Sequence, residues 1–337
     1  MKNYKFNLIL GIASAAIFVL LIIFTHGWMD LIHQMKYLQV EWLIAAVFSM
    51  LLYWVFEAKI LQSTVFLMKK DYKFKEAFKV TMIGQYFNSI TPFASGGQPM
   101  QLYALTKQGL EAGKSGSALM IKFIIYQAIL TIYSLILIFW KLDFFRRNTS
   151  NLFYLIAVGF AVHASVITCL IIFSKYRKLT HKFLIVLSKI LAKLRLVKNI
   201  SKLELSINNN LDQFHDNMQI AKHSKSLIVK AIIYTILQLT IYFIIPYFIY
   251  LSFGMRGANI GSMIAGTAFI MMITAVIPSP GAMGGAEGAF YMCFSLFFAA
   301  NNIMAAILLW RLITFYSCII FGFHALKKNK EKLVDTH

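Results

Sequence analysis

The run Ile277-Pro-Ser-Pro-Gly-Ala-Met-Gly-Gly-Ala-Glu-Gly288 decides how this chain is read. It lies between two apolar stretches, about Asn259 to Val276 and Ala289 to Ala300. Two prolines, four glycines and a carboxylate do not suit the interior of a continuous membrane helix. Proline lacks an N–H and clashes with the preceding turn, and glycine leaves the backbone loose. In hydrocarbon, freed backbone groups survive only against protein or a water-filled cavity. The run is therefore expected to turn back inside the membrane and line a cavity, with Pro278 and Pro280 breaking the helix.

Composition supplies the membrane. The chain has 337 residues, of which 59% are hydrophobic and only 14% charged, and its mean hydropathy is +0.68. A soluble domain carries about a quarter charged residues. The net charge of +20 falls mostly in loops between apolar runs. There, Lys and Arg set topology and meet anionic headgroups, so nucleic acid is not the expected partner. Cys169, Cys293 and Cys318 all lie in apolar runs and read as small core residues. No His/Cys/Asp/Glu cluster has metal-ligand spacing, and neither a nucleophile motif nor a phosphate-binding loop occurs. No metal, cofactor or ATP-driven step is expected.

In chain order, the first span is Leu8 to Thr25, preceded by Lys2 and Lys5 and followed by no small-x-small cleavage site. The second runs from Trp42 to about Met68, the third from Ala118 to Trp140 and the fourth from Leu152 to Phe173. The fifth covers Leu227 to Phe253, kinked at Pro246, and the sixth Ile303 to Phe323. The basic stretches Lys69–Lys79, Ser174–Lys230 and Lys327–Lys332 are assigned to the cytoplasm, as are both termini, in a multi-pass protein of the cell membrane. Lys141, Arg146 and Arg147 fall on the exterior, against that tendency.

Ser174–Lys230 holds twelve Lys or Arg against three acids, and its 57 residues leave no room for a catalytic domain. Phe183, Val186, Leu187, Ile190, Leu191 and Leu194 share one helical face. Such a helix, within 174–198, suits either the surface of an anionic leaflet or packing against the rest of the protein. Leu203, Ile207, Leu211, Phe214 and Met218 outline a second amphipathic helix.

The opening run has a counterpart. Pro92-x-x-x-Gly96-Gly97 repeats the spacing of Pro280-x-x-x-Gly284-Gly285, and each follows a hydroxyl residue, Thr91 or Ser279. Pro92 and Pro99 are expected to break this earlier segment. Residues 1–150 and 151–337 then each read as span, span, broken segment, span, the second half carrying the basic insertion 174–227. Three spans per half is odd, so the halves must be inverted, a recurring transporter design. The expected fold is an all-α polytopic membrane protein with one integral membrane domain, residues 1–337. It has about six spans and two re-entrant segments in an inverted repeat; the alternative is eight spans.

Charges inside such segments are costly, at least about 2.5–3.5 kcal/mol each. Glu57, Lys59 and Lys122 can be read as lying near span ends, where long side chains reach the interface. Glu287 and Arg311 cannot, since eight apolar or small residues precede Arg311 in its span. They are expected to pair, or to act separately, Arg311 on a phosphate and Glu287 at a gate; a structural ion pair is the plainer account. Backbone amides of Gly96, Gly97, Gly281, Gly284 and Gly285 are expected to cradle an anionic headgroup. Asn88, Gln98 and Gln101, with Gln85, add neutral contacts. His163 and Gln238 read as interhelical hydrogen-bonding residues.

With Ser95-Gly-Gly-Gln-Pro-Met-Gln-Leu-Tyr103 and Pro278 to Gly288 in view, the chain resembles the lysylphosphatidylglycerol synthase transmembrane, flippase-like family. Its Pro-x-Pro-Gly-x-x-Gly-x-x-Glu pattern stands at Pro278, Pro280, Gly281, Gly284 and Glu287. In bifunctional members this membrane domain moves aminoacylated phosphatidylglycerol across the bilayer, and a cytoplasmic domain makes that lipid from aminoacyl-tRNA. The resemblance implies a transporter of an anionic or aminoacylated phospholipid, of the lysylphosphatidylglycerol type. The alternatives are the membrane subunit of a lipid-modifying enzyme, of the phosphatidylglycerol lysyltransferase type, and a small-solute transporter. Because His337 follows soon after the last span, lysyltransferase activity is not expected of this chain. Implied partners are membrane phospholipid, a second copy of the chain, or a separate cytoplasmic synthase.

Overall fold

A computed structural model describes residues 36–148, 153–193 and 200–334. The expected first span, Leu8 to Thr25, lies outside the described residues, as does Leu194 of the amphipathic face. Within them the protein is helical, with a single isolated β-bridge and no strand.

The helices are α1 (Val40–Phe66), α2 (Phe74–Ile90), α3 (Gly97–Lys107), α4 (Ala112–Trp140), α5 (Leu142–Asn148), α6 (Phe153–Lys175) and α7 (Arg177–Lys193). There follow α8 (Ile200–His223), α9 (Lys225–Phe243), α10 (Ile245–Ser252), α11 (Ile260–Thr274), α12 (Gly285–Phe294), α13 (Ile303–Arg311) and α14 (Ser317–Val334). A π-helical turn, Leu312–Tyr316, joins α13 to α14.

Among the described residues, five segments are long and apolar enough to cross a membrane: Val40–Phe66, Ala112–Trp140, Ile156–Lys175, Lys225–Ser252 and Ile303–Lys327. They coincide with the second to sixth expected spans. Ile44, Phe48, Ile132, Ile136, Ile171 and Ile320 stand exposed on them. That outward apolar face is the one a bilayer covers. The protein is an all-α polytopic membrane protein. The break at Pro246 is present: α9 ends at Phe243 and the proline sits in the first turn of α10.

The limbs of the broken segments are shorter. α11 has 15 residues and α12 has 10. At 1.5 Å per residue these reach about 22 and 15 Å, short of a hydrocarbon core of about 30 Å. α2, with 17 residues, and α3, with 11, also fall short. Limbs of these lengths favour two re-entrant segments over eight full spans.

After Trp140 the chain continues in α5, where Phe145 is buried with its ring centroid 5.4 Å from that of Phe269. Two local expectations need correction. The Lys69–Lys79 stretch is a loop only to Lys73, the residue that caps α2; the Lys73 N–H donates to Glu76 Oε2 at 3.2 Å across its first turn. Pro99 breaks nothing. It stands in the first turn of α3, where a missing N–H leaves no helical hydrogen bond unmade.

The basic insertion forms a helical hairpin whose two arms differ. α8 packs along α4: Leu211 is buried, and the Gly113 N–H donates to Asn210 Oδ1 at 3.0 Å. On α7, Phe183, Val186, Leu187 and Ile190 are exposed, the Phe183 ring lying 4.8 Å from that of Phe173, while Thr180 and Ser188 are buried.

A cavity between two broken helices

The two turns are alike in detail. After Pro92, Phe93 and Ala94 have φ of 54° and 51°; after Pro280, Gly281 and Ala282 have φ of 60° and 53°. The Ser95 N–H donates to the Pro92 carbonyl at 3.1 Å, and the Met283 N–H to the Pro280 carbonyl at 3.3 Å. Left-handed backbone costs a non-glycine residue about 1–2 kcal/mol. Neither turn is a relaxed loop. They meet each other, Pro92 and Pro280 forming the antiparallel bridge.

The second glycine of each doublet lets the returning limb close on the entering one. A Cβ at Gly97 would lie 2.0 Å from Asn88 Oδ1, and one at Gly285 2.0 Å from Ile277 Cδ1. The Gly97 N–H donates to Asn88 Oδ1 at 3.0 Å, the Gly96 N–H to Thr91 Oγ1 at 2.8 Å, and the Gly284 N–H to Glu287 Oε2 at 2.8 Å. These amides are committed inside the turns. The headgroup cradle expected at Gly96, Gly97 and Gly284 is therefore not on offer in this conformation; these glycines shape the turns.

Around the tips lies a cavity of about 770 Å³. Its wall takes in both turns, at Phe93, Ala94, Ser279 and Gly281, and the polar side chains of Asn88 and Gln98. Ile270, Met271 and Phe123 make part of it apolar. Pro278 is exposed, in the stretch between α11 and the second turn.

Two ion pairs border this space. Arg311 Nε donates to Glu287 Oε1 at 2.7 Å, and Arg311 Nη1 to the Gly281 carbonyl at 3.1 Å. The guanidinium lies 5.0 Å from the Trp310 ring and 5.3 Å from that of Phe315. Its Nη2 is buried and has no partner among the described residues. The π-helical turn follows at once, a distortion that often marks working sites.

The second pair corrects the sequence reading. Glu57 and Lys122 do not reach for the interface; they are 7% and 5% exposed and paired, Nζ to Oε1, at 2.7 Å. Helix packing brings α1 and α4 together there, so each charge finds its counter-ion in the interior. Glu57 Oε2 also accepts from Gln85 Nε2 at 2.5 Å, and Lys122 reaches Gln101 Oε1 at 3.4 Å. Only Lys59 keeps the bland role, its Nζ 4.8 Å above the Phe74 ring.

On the far wall, His163 has the interhelical hydrogen bond expected of it, from Nδ1 to Gln127, a residue the sequence did not single out. Both line the cavity with Gln238, whose Oε1 has no partner among the described residues. One signal for Lys122 was available: it stands about thirty residues beyond Pro92, as Arg311 does beyond Pro280. Among the described residues no group of His, Cys, Asp and Glu could hold a metal ion.

Comparison with known proteins adds a family. The model of the lysylphosphatidylglycerol synthase TM region matches residues 8–322. A UPF0104 membrane protein of Archaeoglobus fulgidus is 26% identical over 264 residues, covering 74% of each chain. Another, of Methanothermobacter thermautotrophicus, is 25% identical over 280 residues, covering 77% of this chain and 78% of its own.

Proposed function

The chain belongs to the lysylphosphatidylglycerol synthase TM region family, and on that premise we propose that it moves a phospholipid with an anionic or aminoacylated headgroup between leaflets. The observation that carries this reading is the cavity of about 770 Å³ walled by both turns, with Arg311 on its wall and its buried Nη2 unpartnered among the described residues. A desolvated guanidinium N–H is a strong phosphate donor. Glu287 then serves as the counter-ion that holds Arg311 between ligands. In the reading proposed, Asn88, Gln98 and the Gly281 carbonyl meet the rest of the headgroup, and the apolar wall meets the glycerol end of the acyl chains.

The same reading makes the halves an inverted repeat, with the basic hairpin and both termini on the cytoplasmic side of the cell membrane. Two facts support it: the turns share one geometry, and their prolines pair antiparallel. It also lays α7 on the anionic leaflet, apolar face down and Lys182 and Lys189 toward headgroups.

Reconstitution in vesicles with labelled phosphatidylglycerol and its lysyl ester tests the proposal. Exchange between leaflets is expected in wild type. Glu287→Gln and Arg311→Gln, at equal protein density, are expected to slow it about tenfold or more, as for loss of a charge-assisted hydrogen bond. No exchange of either lipid, or wild-type rates in both variants, would sink the proposal.

A further inference from the structure

Lys122 is built into the same cavity as Arg311, and its surroundings repeat the plan. Each cation is on the transmembrane helix that follows a broken segment, about thirty residues past the bridging proline. Each contacts the returning limb of its own segment: Lys122 reaches Gln101 on α3, and Arg311 reaches Glu287 on α12.

The carboxylates match as well. Glu57 gives one oxygen to Lys122 and the other to Gln85; Glu287 gives one to Arg311 and the other to the Gly284 N–H. In both, the second oxygen rests on a neutral donor. A carboxylate held this way can release its cation to another anion without being left bare. That matters in a low-dielectric wall, where exchanging one anion for another costs far less than exposing an unpaired charge.

We propose that Lys122 is a second phosphate station of this cavity, with Glu57 as its displaceable counter-ion. The ligand class is a phosphate monoester or diester, taken by Arg311 from one side and Lys122 from the other. This rests on the transport reading above. Because the two cations belong to different broken segments, a ligand handed from one to the other passes between the two halves.

The test is binding to purified protein by calorimetry, in separate arms: short-chain phosphatidylglycerol, glycerol phosphate and inorganic phosphate. Lys122→Gln and Arg311→Gln are each expected to weaken short-chain phosphatidylglycerol about tenfold, the order of one charge-assisted hydrogen bond, and the double variant to abolish binding. Lys122→Arg, which keeps the charge, should bind. Glu57→Gln gives the sign that a purely structural pair cannot: with its competitor gone Lys122 should bind more tightly, about fivefold to tenfold, while leaflet exchange slows because release has lost its driving anion. Wild-type affinity in Lys122→Gln, or weaker binding in Glu57→Gln, overturns the station and leaves transport standing if wild type still exchanges lipid. Binding of glycerol phosphate or inorganic phosphate without the lipid keeps the station but overturns the lipid reading. No binding of any probe, with no exchange, overturns both.

Discussion

Pro92 and Pro280, one from each broken segment, pair with each other in an antiparallel bridge. When equivalent residues of two similar segments face each other in opposite chain directions, a local two-fold axis passes between them. An inverted repeat requires such an axis where its halves meet. Neither proline has an N–H to give, so the turns meet without a hydrogen bond donated by either bridging residue.

The turns should tolerate change unequally. Gly281 and Gly284 both have positive φ, 60° and 81°. A Cβ at Gly281 would lie 2.0 Å from Phe315 Cε2, whereas one at Gly284 meets nothing within 4 Å. Gly281→Ala is expected to cost roughly 2–5 kcal/mol, left-handed strain plus an overpacked ring, and Gly284→Ala only about 1–2 kcal/mol. Thermal unfolding in detergent checks the order; equal losses would contradict it.

The basic hairpin should undock without harm to the membrane core. A Cβ at Gly113 would lie 2.4 Å from the Asn210 carbonyl oxygen, a backbone atom with little room to yield. Gly113→Val is expected to weaken the α4–α8 contact by about 1–3 kcal/mol. Limited proteolysis should then cut α7 and α8 faster, with the unfolding midpoint of the membrane core unchanged.

The apolar face of α7 should lie in lipid. Single cysteines at Phe183, Leu187 and Ile190, labelled with a fluorophore in nanodiscs, are expected to resist an aqueous quencher, and more strongly when the disc contains anionic lipid. Labels at Thr180 and Ser188, which are buried against protein, should show no lipid dependence. Free quenching at all three apolar sites would remove α7 from the leaflet.

Acid should loosen the same hairpin. Burial holds the His215 imidazole below its ordinary range; Nδ1 donates to the Ser174 carbonyl at 3.2 Å, and Nε2 is buried without a partner among the described residues. Arg177, Asp212 and Asp216 are the charged groups that act on it. Folding favours the neutral ring, so its contribution is complete above the ordinary histidine pKa of about 6.5 and is lost as pH falls below it. Amide protection in α8, taken relative to the intrinsic exchange rate at each pH, is expected to fall between about pH 7 and pH 5, and less so in His215→Gln.

Much of the architecture was legible in the chain itself. Five of the expected spans coincide with helices because a run of about twenty apolar residues has one stable form in a bilayer. The break at Ile277–Gly288 was equally local, since proline and glycine act on the backbone wherever they stand. The pairing of Glu287 with Arg311 was also within reach: no interface lay near enough to excuse them. The station of Glu57 and Lys122 was not, because each has a harmless reading near a span end. Only the packing of α1 against α4 sets the two 2.7 Å apart in the interior. The fate of the glycine amides belongs here too, as Asn88, Thr91 and Glu287 claim them only once the limbs have closed. Residue type and spacing determined that the Pro-Gly run turns back and that a second one does the same. That the two turns touch at Pro92 and Pro280, with both cations lining one cavity, was decided by tertiary structure, because contacts between distant segments depend on packing that no local pattern records.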